Sequence, residues 1–226
     1  MRILDVGTGT GIIAERMRTA TGPNTLIVGV DAALTMLQEG RRTFQYPVVV
    51  AQMPQLPFAA ATFDVAVAGF VLSHVADYGL ALTDIVRVCR RGARVGMTVW
   101  GALPNPAAQL WTEVASRFVD RDELERGFRA HIPWDAWFAN TSRLQSALTA
   151  AGLQHAVVHT RTYAMRMATS DFLASRNASI QGTVLRERLS DERWDRFRLE
   201  LIDTFESRFG AHVEFERDVH FGIAEK

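Results

Sequence analysis

The chain has 226 residues, of which 25 are Lys or Arg and 25 are Asp or Glu, so its formal net charge is zero and no field of one sign is present to attract nucleic acid or an anionic lipid surface. The single cysteine, Cys89, excludes an intrachain disulfide and any zinc site built from several thiolates. No charged lead followed by an apolar run opens the chain and no stretch of about 18 apolar residues interrupts it, which predicts a cytoplasmic enzyme.

The first hundred residues alternate in type. Arg2 to Val6 is a short apolar run that ends in glycines, and Ile13, Met17 and Ala20 then recur at helical spacing until Gly22-Pro23 breaks the pattern. Leu26 to Val30 is apolar and β-branched and ends at Asp31; Leu34 and Leu37 suggest a short helix. Pro47 to Val50 and Phe63 to Phe70 read as a third and a fourth strand. Leu82, Ile85, Val86 and Cys89 form the inner stripe of a helix whose outer face carries Asp84, Arg87, Arg90 and Arg91, with Gly92 as its stop and Arg94 to Trp100 as a fifth strand. Nearly all-apolar strands alternating with helices predict an α/β fold, a mostly parallel Rossmann-like sheet covered on both faces.

After Gly101 the character changes. Leu110, Trp111, Val114 and Phe118 form another helical stripe, Trp134, Trp137 and Phe138 follow, and a helix near Thr141 to Ala151 leads to a strand near Ala156 to Tyr163. A polar helix pair comes next, the longer member burying Trp194, Phe197, Leu201, Phe205 and Phe209. The chain closes with Val213, Phe215, Arg217, Val219, Phe221 and Ile223 alternating against His212, Glu214, Glu216, Asp218 and His220, a period of two that predicts an antiparallel last strand. We expect one domain over 1–226, with 1–101 as its cofactor-binding half and 102–140 and 166–210 as helical lid or substrate insertions in a seven-stranded arrangement.

Glycines at 7, 9 and 11 follow a strand and open a helix, where bare backbone can approach a ligand closely. A dinucleotide fingerprint places its third glycine where this chain has Ile12; the pattern here is an acidic residue, Asp5, followed by G-x-G-x-G. Asp31 lies at the end of the second strand, where a carboxylate either accepts from two ribose hydroxyls or caps the next helix. Both a nicotinamide cofactor and a methionine-derived one carry such a ribose.

Two further segments separate them: Ala51-Gln52-Met53-Pro54-Gln55-Leu56-Pro57-Phe58, and Phe63-Asp64-Val65 running on to Val71-Leu72-Ser73-His74. Together with the glycine turn they resemble the class I S-adenosylmethionine-dependent methyltransferases of the ubiquinone and menaquinone biosynthesis type, over most of residues 3 to 101. The resemblance implies methyl transfer from S-adenosylmethionine to an O, N or C nucleophile of a small, apolar metabolite. It puts Gly7, Thr8 and Gly9 beside the methionine moiety, Asp31 on the ribose, Ala32 and Met36 on the adenine side, and Phe70 near the sulfur. Gln52 stands where the family usually has an Asp that accepts from the adenine amino group, Met53 offers its backbone N–H to the ring, and Asp5 holds either the loop or the cofactor's amino group.

His74 is the one histidine near the predicted crevice, and is either a general base or a pocket-shaping residue bonded to backbone. No metal is called for, and no H-E-x-x-H or paired-carboxylate pattern occurs. Trp100, Trp111, Trp134 and Trp137 fall where the family places substrate-covering segments, with His131 as a weaker substrate contact, whereas Arg87, Arg90, Arg91 and Arg94 read as a solvated helix end. In relatives, helices usually precede the first strand, here almost at Met1; either a start lies upstream, or a partner subunit or the later helices close the site, and a homodimer is the expected assembly. The other readings are a homologue that binds the cofactor without transferring methyl, and a nucleotide-cofactor oxidoreductase.

Overall fold

The apolar runs Arg2 to Val6, Leu26 to Val30 and Phe63 to Phe70 become strands that bury most of their apolar residues, whereas Val48 to Val50 forms a short strand at the sheet's edge and stays half-exposed. The structure, a computed structural model, describes residues 1–41 and 46–226. Strands β1 (Arg2–Val6), β2 (Leu26–Asp31), β3 (Val48–Val50), β4 (Phe63–Gly69) and β5 (Cys89–Trp100) run parallel, and β6 (Gln154–Ala168) and β7 (His212–Glu225) complete the sheet. Among the described residues the strand order is β3-β2-β1-β4-β5-β7-β6. The chain steps outward from β1 to β3 and returns to β4 on the other side of β1, so the reversal in strand order lies between β1 and β4. Strand β7 enters antiparallel to β5, with Thr98 opposite Phe221 and Gly96 opposite Ile223. The expected α/β sheet with its antiparallel last strand is present.

The described chain divides into two compact units. The first, residues 1–101, 134–161 and 219–226, holds the parallel strands with α1 (Ile12–Thr21), α2 (Leu34–Gly40), a 3₁₀ turn at Leu72–His74, α3 (Tyr78–Val88), α6 (Asp135–Phe138) and α7 (Thr141–Ala150). Its core joins Leu4, Val6 and Ala66 of the sheet to Leu82 and Ile85 of α3 and Leu144 and Leu148 of α7. The second unit, residues 102–133 and 162–218, comprises α4 (Pro106–Ala115), α5 (Arg121–His131), α8 (Thr169–Asn177), α9 (Ile180–Arg186), α10 (Asp191–Phe209) and the strand ends that fall in it. It has a core of its own around Trp111, Leu124, Leu173, Leu185, Phe197, Leu201 and Phe205.

Three details differ from the sequence reading. Helix α3 stops at Val88, and Cys89 is extended at φ −78°, ψ 143°, so the cysteine opens β5 instead of closing the helical stripe. There Cys89 pairs with Phe63 of β4, and the Lys226 ammonium donates to the carbonyls of Val86 (2.8 Å) and Cys89 (2.7 Å) beside the helix's negative end. Gly92 (φ 72°) sits instead in the irregular stretch where β5 pairs with β4. Burial pushes the Cys89 thiol up to about 11, which keeps it protonated.

The second difference concerns Asp84 and Arg87. Asp84 is 7% exposed; its carboxylate accepts from the Leu56 N–H at 2.6 Å and from Arg87 Nε at 2.8 Å. The same guanidinium donates to the carbonyls of Phe58 (2.7 Å) and Leu56 (2.9 Å). Arg87 is therefore a clamp on the Leu56-Pro57-Phe58 segment, and Arg90 reaches Asp64 at 2.7 Å; neither belongs to a merely solvated helix end.

Third, the alternation along β7 inverts. Val213 is buried as expected, yet Ile223 is 47% exposed and His220 only 5%. A polar ring can point inward here because both its nitrogens are satisfied, Nδ1 with the Thr160 hydroxyl (2.8 Å) and Nε2 with the Ala139 carbonyl (3.0 Å).

Candidate functional site

The glycine turn lies at the C-terminal ends of β1 and β4, beside the reversal in strand order. Gly7, Gly9 and Gly11 all have positive φ, at 68°, 55° and 88°. Gly7 is held against the segment that follows β4: a Cβ on it would come within 2.5 Å of Val71 Cγ2. Gly40, at the end of α2, lies against the turn from another direction, where a Cβ would meet the Thr10 carbonyl at 2.8 Å. These approaches leave the backbone of residues 7–11 as a bare cradle at the head of α1.

Asp31 ties that cradle to β2. Its Oδ2 accepts from the Gly9 N–H and its Oδ1 from the Ala33 N–H, both at 2.8 Å, so the residue pins the turn and the backbone just before α2, without capping that helix, while remaining only half-buried. Each oxygen keeps a second lone pair for a ligand hydroxyl. Asp31 pairs with Val50 across β2 and β3, and its carbonyl accepts from the Ala51 N–H at 3.1 Å; Gln52 follows directly and is exposed, with Met53 half-buried against the core. Met36, exposed, lies over Gly9, its Cε 3.7 Å from where a Gly9 Cβ would be; Ala32 is exposed beside Asp31.

Asp5 ends β1 fully buried, its Oδ2 accepting from the Thr8 hydroxyl at 2.7 Å. Burial pushes its carboxyl up to about 6 from 3.8, with the hydrogen bonds from Thr8 and the Ala14 backbone acting in the opposite sense and the charge of Asp31 adding to the rise. The folded carboxyl holds its proton more tightly than the unfolded one. The native state therefore gains from protonation below about pH 4, loses that gain as the pH rises through about 6, and above it carries a buried anion costing roughly 2–3 kcal/mol. The stability of the wild type relative to Asp5→Asn is expected to fall by about that amount between pH 4 and pH 7. Urea unfolding at both pH values checks this; a difference independent of pH would mean that Asp5 titrates normally.

Phe70, at the end of β4, adopts φ 55°, a conformation rare outside glycine. It is held there by its N–H donating to the Thr98 carbonyl (2.9 Å) and by its ring stacking on Trp100, with centroids 4.1 Å apart. His74, in the 3₁₀ turn that follows, is exposed. Partial burial of the ring lowers its pKa below the ordinary histidine value, while the charges of Asp135 and Asp31 act against that shift. The turn is braced by Trp134, whose Nε1 donates to the Val75 carbonyl at 2.9 Å and whose ring meets Tyr78 edge-on.

The structure thus brings together Asp5, Gly7, Thr8, Gly9, Asp31 and Met36, with Val71 joining them to the end of β4. The tryptophans do not form one cluster: Trp111 is fully buried in the core of the helical unit with Nε1 on Asn177 Oδ1 (3.1 Å), and Trp137 lies under the Arg143 guanidinium. His131 bonds the Gly127 carbonyl of its own helix at 2.9 Å. Two site neighbours escaped the sequence reading. Tyr46 places its hydroxyl 3.2 Å from Thr8 Oγ1, and Val71, named in the segment after β4 but given no role there, packs on Gly7; each acts through a long-range approach that spacing does not encode.

Residues 4–97 match the family described as "Methyltransferase domain". A demethylmenaquinone methyltransferase of a Roseiflexus species is 39% identical over 97 residues, 42% of this chain and 40% of the relative. An O-methyltransferase of Aspergillus nomiae is 36% identical over 125 residues, 52% of this chain and 53% of the relative. The chain spans about half the length of the curated relatives it matches. Among solved structures, a phosphoethanolamine N-methyltransferase of Haemonchus contortus in complex with S-adenosyl-L-methionine superposes with a TM-score of 0.56 at 15% identity, covering 100% of this chain and 48% of that one. The likeness to methyltransferases is thus carried by residues 4–97, the part of the chain that holds the glycine turn and Asp31.

Proposed function

We propose that the chain binds S-adenosylmethionine on the glycine turn and transfers its methyl group to an O, N or C nucleophile of a small, apolar metabolite. The observation that carries this reading is Asp31 bonded to the Gly9 N–H, which holds a carboxylate and a bare backbone cradle side by side at the reversal in strand order. The residues fit the cofactor. Gly7, Thr8 and Gly9 line the methionine portion, the spare lone pairs of Asp31 take ribose hydroxyls, Ala32 and Met36 face the adenine, Gln52 accepts from its amino group, and the Met53 N–H meets the ring. Phe70 stands near the sulfur, and Asp5 offers its buried charge to the α-ammonium.

When bound, the cofactor supplies a methyl already activated on a sulfonium. The protein's part is then to align an acceptor in contact with that methyl and to exclude water. For an O–H or N–H acceptor, neutral His74 takes the proton that the nucleophile sheds. A His74→Gln enzyme is expected to lose about 10²-fold or more in turnover on such an acceptor while binding cofactor normally; transfer at the wild-type rate would leave His74 a structural part only.

The names of the relatives, a quinone methyltransferase among them, support a small-molecule acceptor. We read the helical unit as an elaboration of one methyltransferase domain, and the protein as cytoplasmic and without a nucleic-acid partner, on its net charge of zero and on the finding that no described helix is long and apolar enough to cross a membrane.

Calorimetric titration with S-adenosylmethionine and, separately, NADH tests the reading. Binding of the first alone is expected, weakened in Asp31→Ala by about 1–3 kcal/mol, the scale for hydrogen bonds to a charged group. Binding of NADH instead would overturn it, and unchanged affinity in Asp31→Ala would remove that residue from the site.

A further inference from the structure

We propose that the outer face of α10 is a self-complementary docking surface, on which a second copy of this chain packs helix against antiparallel helix about a two-fold axis beside Ile202. Helix α10 buries Phe197, Leu201 and Phe205 and turns Arg198, Leu199, Ile202 and Glu206 outward. Leu199 is 69% and Ile202 41% exposed, two large apolar side chains on a surface otherwise charged. Beside this face lies a cavity of about 710 Å³, lined by Leu173 and Ala174 of α8 and by Arg198, Leu201, Ile202 and Glu206 of α10 among others.

The charge order selects the occupant. Arg198 lies four residues before Ile202 and Glu206 four after it, so at 100° per residue the three form one stripe with the charges about 12 Å apart. A second copy in antiparallel register brings Arg198 opposite the partner's Glu206 and Glu206 opposite the partner's Arg198, with Ile202 meeting the partner's Ile202 between them. Both ion pairs follow from one symmetry operation, the requirement of an isologous contact. A parallel register would stack Arg198 on Arg198 and Glu206 on Glu206. Within its own helix Arg198 reaches only Asp195, at 3.9 Å, a loose exposed contact whose loss costs little. Leu199, projecting beside the axis, supplies the apolar bulk to fill the partner's cavity.

Sedimentation velocity of the full chain across the micromolar range tests this. The wild type is expected at twice the chain mass. Arg198→Glu and Glu206→Arg each place two like-charge pairs in the dimer and are expected to raise its dissociation constant on the order of 100-fold. The double variant Arg198→Glu/Glu206→Arg, with both pairs re-formed in reversed sense, should dimerise as the wild type does, a recovery that misfolding could not produce; Ile202→Glu should be monomeric. A wild type that stays monomeric, a dimer indifferent to these changes, or a double variant as weak as the singles would each overturn the proposal. None of these outcomes depends on whether the chain transfers methyl groups.

Discussion

Gly7→Ala is expected to destabilise the fold by about 2–5 kcal/mol, combining the left-handed backbone cost of roughly 1–2 kcal/mol with overpacking of about 1–3 kcal/mol. At φ 68° the new methyl would sit 2.5 Å from Val71 Cγ2 and 2.7 Å from its Cβ, so relief requires moving either the turn or the residue that follows Phe70. Gly9→Ala is the informative control. Its φ is 55°, but the nearest atom to its added methyl is Met36 Cε at 3.7 Å, an ordinary contact, and only the backbone cost of roughly 1–2 kcal/mol should appear. Urea midpoints of the two variants, read with cofactor titration, check the contrast. Equal losses in both would mean that conformation alone, and not the approach of Val71, makes glycine necessary at position 7.

Asp84→Ala is the second large effect. It strips the buried Leu56 N–H of its acceptor and leaves the Arg87 guanidinium without its counter-charge, for an expected loss of about 2–4 kcal/mol. Asp84→Asn, which keeps an acceptor oxygen, should lose less. The consequence reaches the site, because the clamped segment Leu56 to Phe58 continues the loop that carries Gln52 and Met53. Asp84→Ala is therefore expected to weaken cofactor binding although Asp84 touches no ligand. Unfolding by urea together with titration calorimetry measures both; stability within about 0.5 kcal/mol of the wild type would show that Arg87 alone holds the loop.

The Asp84–Arg87 clamp also shows why part of the site was not legible in sequence. At helical spacing Asp84 and Arg87 sit on the polar side of a stripe defined by Leu82 and Ile85, and such residues are ordinarily solvated. What buries Asp84 is the Leu56-Pro57-Phe58 segment, 28 residues earlier in the case of Leu56, which lies against that side of α3. His220 was misread for the same reason, since a histidine in an alternating strand counts as polar until the Ala139 carbonyl and the Thr160 hydroxyl are seen to satisfy it. Trp111 was legible as helical stripe but not as core of a second unit, because periodicity gives the buried face of a helix and not what that face meets.

Sequence alone determined the local chemistry: strand, glycine turn and helix at residues 2–21, the carboxylates at the ends of β1 and β2, the parallel sheet with its antiparallel closing strand, and the resemblance over residues 3 to 101. These follow from short-range sterics and from the period of apolar residues, both written in consecutive positions. Tertiary structure decided what depends on distant approach. It put Val71 on Gly7 and Tyr46 on Thr8, set Lys226 against the end of α3, made Arg87 a clamp, and left Ile202 with Arg198 and Glu206 on an uncovered face. Burial is a property of the assembled chain: whether a charge or ring is solvated, paired or packed is set by segments that spacing along the sequence does not bring together.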